Sequence, residues 1–214
     1  MKRALQATVI ALGIAAVVVM GVIGFGLITG GSSTPQASTS HNAQLVREDS
    51  RTLSDGDQAE FVEVLDFECP ACADLYPYME QLREEYGDRV TFVVRYLPMH
   101  GNSLGAAQAA EAAAEQGEFL PMYQTLFENF DEWSNSQSSQ RDTFFDYARE
   151  LGLDMDQFSA DYQDPATVER IAQNQLDAEA LGVTSTPTFF LDGERIQPET
   201  MEDMRGLIEM AVAP

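Results

Sequence analysis

The sequence predicts an α/β domain with a central mixed sheet, split by an all-helical insertion and preceded by one transmembrane helix. The apolar run from Ala59 to Phe67 is typical of a strand covered on both faces, and a helical pattern begins just beyond it, at Cys69-Pro70-Ala71-Cys72. A second strand pattern, from Val90 to Leu97, follows that helix. Strand, helix and strand therefore form a parallel βαβ unit with the cysteines at the carboxyl end of the first strand.

Residues 1–30 are interpreted as a cytoplasmic N-terminus and a membrane anchor. Ala7 to Ile28 contains no charged residue and is long enough to cross the hydrocarbon core. Lys2 and Arg3 lie before this segment, which puts the N-terminus in the cytoplasm and the rest of the chain outside. A cleaved signal peptide is the alternative, but the apolar core is unusually long and Pro35-Gln36-Ala37 is a poor cleavage site. We therefore expect a single-pass protein of the cell membrane whose main domain is extracytoplasmic.

Residues 31–44 are rich in Gly, Ser, Thr and Pro and predict a flexible linker, and residues 45–214 form the main domain. From about residue 99 to 182 the pattern is helical, with apolar stripes that indicate core packing rather than a cofactor site. The strand pattern then resumes at Thr188 and turns at Asp192-Gly193, and Glu199 to Ala213 predicts a terminal amphipathic helix.

The chain carries 35 acidic and 12 basic residues, which gives a formal net charge of −23. This balance argues against a nucleic-acid partner, because the phosphates would be repelled. Two interpretations stay open. We favour a solvated, self-repelling surface that keeps the protein soluble, and the other is adaptation to high salt.

An ordered set of motifs gives the sequence a family resemblance. Phe67 to Cys72, Glu63 six positions before the first cysteine, and Gly182 to Phe189 together resemble the thioredoxin superfamily. The helical insertion makes the chain similar to the DsbA-like branch of thiol–disulfide oxidoreductases, and Arg95 to Pro98 and Ala109 to Gly117 also resemble bacterial members. The resemblance covers nearly all of the main domain and implies a thioredoxin-like fold.

Cys69 and Cys72 are the only two cysteines in the chain, and we interpret them as a redox pair. At a strand-to-helix junction, free backbone N–H groups and the helix dipole stabilise a thiolate. A zinc site would need four ligands, and His41 and His100 are the only histidines that could supply nitrogen, so we expect no metal and no cofactor beyond the Cys69–Cys72 disulfide. A purely structural disulfide across so short a loop would contribute little stability. We expect Cys69 to be the exposed reactive sulfur and Cys72 the buried resolving one.

The resemblance implies a substrate-binding surface beside the cysteines. In the superfamily the proline that matches Pro187 is cis and lies next to the disulfide, so the same is expected here. Thr186 would then present backbone groups to a bound substrate peptide, and Pro70 and Ala71, between the cysteines, would face it too.

Two further polar residues are candidates for proton chemistry. The resemblance implies that Glu63 is buried beneath the pair and exchanges a proton with Cys72, with burial raising its pKa. The alternative is a strand glutamate that points at solvent. For His100, the only histidine of the main domain, we favour a loop or capping role, because nothing in the spacing ties it to the cysteines.

The resemblance and the predicted compartment indicate an extracytoplasmic enzyme that forms disulfides in thiol-containing secreted or surface proteins. The resemblance also implies a membrane partner of the DsbB or vitamin K epoxide reductase type, which would reoxidise the pair. A disulfide reductase or isomerase fed by a membrane electron donor is the first alternative, and a redox-inert binding or chaperone module is the second. Ala71 and the acids Asp66, Glu68 and Asp74 leave the direction open, because they disfavour a Cys69 thiolate and so make the disulfide less oxidising.

Overall fold

The structure is a computed structural model and describes residues 44–213, which form five strands and eight helices. The strands are β1 (Arg51–Thr52), β2 (Ala59–Leu65), β3 (Val90–Tyr96), β4 (Thr188–Leu191) and β5 (Glu194–Ile196). The helices are α1 (Pro70–Tyr86), α2 (Ser103–Ala114), α3 (Phe119–Glu128), α4 (Phe130–Trp133), α5 (Arg141–Glu150), α6 (Met155–Gln163), α7 (Pro165–Ala180) and α8 (Met201–Ala211).

The expected membrane anchor, Ala7 to Ile28, lies outside the described residues, as does the expected linker apart from Gln44. Among residues 44–213, none of the helices combines the length and the apolar character that a membrane crossing requires.

The five strands form one sheet in the order β1-β3-β2-β4-β5. β2 pairs with β3 in parallel, whereas the other three pairings are antiparallel, so the sheet is mixed. Six of the seven residues of β2 are buried, as expected for a central strand with both faces covered. These observations confirm the predicted α/β fold and its mixed sheet.

β2 ends two residues earlier than the apolar run suggests. Leu65 is its last residue, although Phe67 is also apolar and buried. Phe67 packs in an aromatic cluster with Tyr96, Tyr123 and Phe127, at ring-centroid distances of 5.3 to 6.0 Å. Its apolar character therefore reflects core packing beyond the strand end, where the chain turns towards α1.

Six helices, α2 to α7, lie between β3 and β4. α2 is the central one and packs against α3, α5, α6 and α7. Six of its seven alanines are almost fully buried, because small side chains let neighbouring helices approach closely. They are Ala106, Ala107, Ala109, Ala110, Ala112 and Ala113.

A buried ion-pair network fastens the start of the described chain to α7 and β3. The carboxylate of Asp177 on α7, 2 % exposed, accepts hydrogen bonds from Arg95 at 2.7 Å and from Arg47 at 2.6 Å. Arg95 also donates to the carbonyl oxygen of Leu45 at 2.6 Å. The charges are thus paired and hydrogen-bonded, as burial requires.

Candidate active site

The two cysteines lie where β2 gives way to α1. Cys69 is the N-cap residue of α1, with an extended backbone, and Cys72 lies in the first turn. Pro70 starts the helix, a position that suits proline because the N–H it lacks would have no partner within the helix. Both cysteines are free thiols, so the structure describes the reduced pair.

Cys69 is less exposed than the sequence suggested. Only 7 % of the residue is accessible, and Cys72 is 1 % accessible. Part of the reason is the loop before β4, whose Thr186 carbonyl oxygen lies 3.5 Å from the Cys69 sulfur. The expectation of an exposed sulfur was therefore wrong in degree, although Cys69 remains the more accessible of the two.

The two thiols have opposite electrostatic environments. The hydrogen bond from the Cys72 thiol, with further donors from the Thr186 side chain and the backbone N–H groups of Ala71 and Cys72, lowers the pKa of Cys69 to about 5 against the opposing effect of burial. The same Cys69–Cys72 hydrogen bond, burial and the charge of Glu63 raise the pKa of Cys72 well above its ordinary value. At neutral pH the arrangement holds a Cys69 thiolate beside a protonated Cys72.

Glu63 lies on β2 and is 5 % exposed, so its side chain is buried rather than turned to solvent. Burial, followed by the charge of Cys69, raises its pKa to about 8. The charge of Glu63 in turn raises the pKa of Cys72, which places the two groups within electrostatic reach of each other. A carboxyl group with such a pKa can hold or release a proton near neutral pH.

The Thr186-Pro187 peptide bond is cis. Pro187 and Ala71 both line a groove of about 330 Å³ whose other walls include Phe189, Met201 and Met204. Pro70 is exposed at the start of α1. The structure therefore brings Thr186 to the Cys69 sulfur, and it brings Ala71 and Pro187 to one largely apolar groove beside the pair.

Asp66 and Glu68, which the sequence suggested only as acids that disfavour a thiolate, are buried structural groups. Their exposed fractions are 2 % and 3 %. Asp66 accepts hydrogen bonds from the backbone N–H groups of Glu68 and Met99, and Glu68 accepts from those of Asn102 and Asn135. We call Asp66 and Glu68 the carboxylate clamp, because they tie the turn before Cys69 to two loops of the helical region.

His100 lies in the loop after β3, as expected. It is also connected to residues 66–69, the turn that leads into Cys69, which we call the cysteine turn. Its Nδ1 lies 2.6 Å from Oδ2 of Asp66, and this hydrogen bond raises the pKa of the imidazole. The backbone carbonyl of Asp66 accepts a hydrogen bond from the N–H of Cys69 at 3.0 Å. No pattern in the sequence indicates this contact, since the two partners lie in different loops.

A family model described as thioredoxin matches residues 57–210, which is more than half of the chain. The chain belongs to this thioredoxin family. A solved thioredoxin-like oxidoreductase from Silicibacter pomeroyi DSS-3 is 26% identical, with a TM-score of 0.65, over 80% of this chain and 96% of that one. Wolbachia pipientis alpha-DsbA1 is 20% identical, with a TM-score of 0.70, over 81% and 96% of the two chains. The domain therefore has the thioredoxin-like fold of DsbA proteins, as the resemblance implied.

Curated relatives of similar sequence carry a different kind of name. A protein of Herminiimonas arsenicoxydans named Na(+)/H(+) antiporter NhaA is 40% identical over 140 residues, which are 65% of this chain. The match spans only 22% of the antiporter's length. The likeness therefore concerns one segment of a much longer protein.

Proposed function

We propose that this protein is a membrane-tethered, extracytoplasmic thiol–disulfide oxidoreductase that forms disulfides in secreted or surface proteins. The observation that carries the proposal is the asymmetry of the cysteine pair. Cys69 has a pKa of about 5, whereas Cys72 is buried and its pKa is raised. A thiolate of low pKa is a good leaving group and stabilises the reduced pair, which makes the disulfide more oxidising.

In the first step of the proposed reaction, a substrate thiolate attacks Sγ of Cys69 in the oxidised pair. A bond forms between the two sulfurs, the Cys69–Cys72 bond breaks, and the electron pair stays on Cys72. Glu63, buried nearby with a pKa of about 8, supplies the proton that neutralises Cys72. A second substrate thiol then attacks the substrate sulfur of the mixed disulfide, and Cys69 leaves as a thiolate.

The groove lined by Ala71, Pro187 and Phe189 is the proposed seat for the polypeptide that carries the substrate thiol. Its apolar walls suit side chains of an unfolded segment, and the nearby backbone of Thr186 can hydrogen-bond an extended chain. A membrane enzyme of the DsbB or vitamin K epoxide reductase type is the proposed acceptor for the electrons of the reduced pair. The antiporter activity in the relatives' name is not part of the proposal, because the match covers 22% of that protein.

A reductase or isomerase with the same cysteine pair is the second candidate. Ala71 favours it, since it adds no positive charge between the cysteines that would stabilise the Cys69 thiolate further. The two directions differ in the reduction potential of the pair, and the low pKa of Cys69 favours oxidation.

The deciding experiment measures this potential by equilibration with glutathione, together with the oxidation of a reduced, unfolded substrate protein. We expect a potential clearly above that of thioredoxin, about −270 mV, and stoichiometric disulfide transfer by the oxidised protein. A potential near the thioredoxin value would overturn the oxidase direction. A Cys69→Ser variant with undiminished transfer would rule out the redox function altogether.

A further inference from the structure

His100 stands at the edge of a polar groove on the helical side of the cysteine turn. The groove has a volume of about 570 Å³, and its lining residues include Gln108, Asn135, Gln140 and Arg141, which starts α5. It is separate from the apolar groove at Pro187, since the two share no lining residue among those described. The reaction proposed above gives neither this groove nor His100 a role.

The imidazole is oriented as a base would be. Nδ1 donates its proton to the buried carboxylate of Asp66 at 2.6 Å, so in neutral His100 the lone pair lies on Nε2. The side chain is 41 % exposed, whereas that of Asp66 is fully buried. Within residues 44–213, Nε2 makes no hydrogen bond, which leaves this nitrogen free for a molecule in the groove.

The imidazole is also tied to the turn that presents the reacting sulfur. Asp66, its partner, accepts a backbone hydrogen bond from Cys69, so one residue joins both groups. The charge of Cys69 contributes to the raised pKa of His100, after the hydrogen bond and charge of Asp66. Glu68, the residue before Cys69, lines the same groove as His100, so the groove borders the turn that carries the reacting sulfur.

We propose that His100 is the general base that deprotonates the second substrate thiol, with Asp66 as the residue that positions it. The step rests on the function proposed above, whose Cys69–Cys72 disulfide is the oxidant. The S–H bond of the second thiol breaks and its proton passes to Nε2. The new thiolate attacks the substrate sulfur of the mixed disulfide, an S–S bond forms within the substrate, and the electron pair of the broken bond stays on Cys69. The imidazolium then releases its proton to water.

This role gives a defined pH dependence. In the mixed disulfide Cys69 carries no charge, so the charged groups around His100 are Asp66 and Glu68 of the cysteine turn and Arg141, which lines the same groove. Only neutral His100 accepts a proton, so the rate should rise with pH through the imidazole pKa, which Asp66 holds above the ordinary value of about 6.5. In a variant without His100, the rate should instead rise with the ionisation of the substrate thiol itself, near pH 8.5.

The test isolates the resolving step in the full chain. In a Cys72→Ala background, a peptide is attached to Cys69 as a mixed disulfide, and its release by an added alkyl thiol is followed across pH. We expect His100→Gln to slow release roughly tenfold at pH 7, less than the full range for acid–base catalysis because water competes as the base. His41→Gln, at the only other histidine of the sequence, is the matched control and should leave the rate unchanged.

Two further arms separate a base from a structural or purely electrostatic group. An aryl thiol that is already ionised at the working pH needs no base, so it should release the peptide equally fast with and without His100. His100→Lys keeps a positive charge but offers no base at neutral pH, and it should be as slow as His100→Gln. An equal loss with the aryl thiol, a wild-type rate for His100→Gln or a wild-type rate for His100→Lys would each overturn the inference. Failure of the wild-type protein to oxidise any dithiol substrate would instead overturn the proposed function on which it rests.

Discussion

At the scale of single residues, the chemistry depends on where protons are held. Glu63 has a pKa of about 8 in the folded protein against an ordinary value of 4.5, so the fold prefers its protonated form. Its contribution to stability is complete below pH 4.5 and is lost as the pH rises through 8. The main cause is burial rather than the nearby thiolate, so the effect persists when the cysteines are oxidised.

Glu63→Gln should therefore remove this pH-dependent loss of folding stability, because a glutamine side chain does not ionise. In the oxidised protein, where neither thiol titrates, we expect the variant to gain up to a few kcal/mol of unfolding free energy relative to wild type between pH 5 and 9. Urea unfolding at several pH values measures the difference. Glu194→Gln, at an exposed position of β5, is the control and should show no such trend. Parallel pH profiles for wild type and Glu63→Gln would contradict the assignment.

The low pKa of Cys69 depends most on the Cys72 thiol. Cys72→Ala should raise the pKa of Cys69 from about 5 towards the ordinary value near 8.5, because the donor to the thiolate is gone. Cys72→Ser keeps a donor of similar size and should raise it less. Thiolate absorbance or alkylation rates against pH measure both variants, and an unchanged profile in Cys72→Ala would show that the other donors suffice.

How far the sequence could predict the site depends on how local each contact is. The cysteines, Glu63 and the Thr186-Pro187 pair belong to linear motifs, so their candidacy was visible in the sequence. The contact between Asp66 and His100 joins residues 34 positions apart and leaves no periodic signal. For the same reason the sequence suggests Asp66 and Glu68 only as nearby charges, whereas in the structure their oxygens bind backbone N–H groups.

At the scale of secondary-structure elements, α2 is the part least tolerant of a change in volume. Ala110 is 0 % exposed, and α2 is packed against four other helices. Ala110→Leu should destabilise the fold by about 1–3 kcal/mol, because three extra carbons have no space. Ala160→Leu, at an exposed position of α6, is the matched control and should stay within about 0.5 kcal/mol. Denaturant unfolding measures both, and equal midpoints would mean that the core around α2 relaxes freely.

The point at which a strand ends shows what the hydrophobic pattern of the sequence cannot predict. Periodicity separated helices from strands along the described chain, because every amphipathic stripe faces a real core. It placed the end of β2 too late, since Phe67 is apolar for its contacts with Tyr96, Tyr123 and Phe127 and not for a strand pairing. Hydrophobicity reports burial, and only the backbone pairing decides where a strand stops.

At the scale of the whole molecule, the described segment before β1, residues 44–50, is part of the folded domain. Arg47 pairs with Asp177, and the carbonyl of Leu45 accepts from buried Arg95. Deleting residues 1–47 should therefore lower the unfolding midpoint by several degrees relative to deleting residues 1–43, because a lost hydrogen-bonded charge pair costs about 1–3 kcal/mol. Thermal unfolding followed by circular dichroism compares the two. Asp177→Asn in the full chain should also be destabilised, and equal midpoints for the two deletions would contradict the role of the segment.

The carboxylate clamp has a consequence for which positions of this site can be changed. Asp66 and Glu68 hold the turn before Cys69 in place through buried hydrogen bonds. Pro70 and Ala71 are exposed and take no part in these hydrogen bonds. The dipeptide between the cysteines can thus be replaced without disturbing the turn that Asp66 and Glu68 hold in place. Substitutions at these two surface positions should therefore change the reduction potential of the pair while the turn that presents Cys69 stays in place.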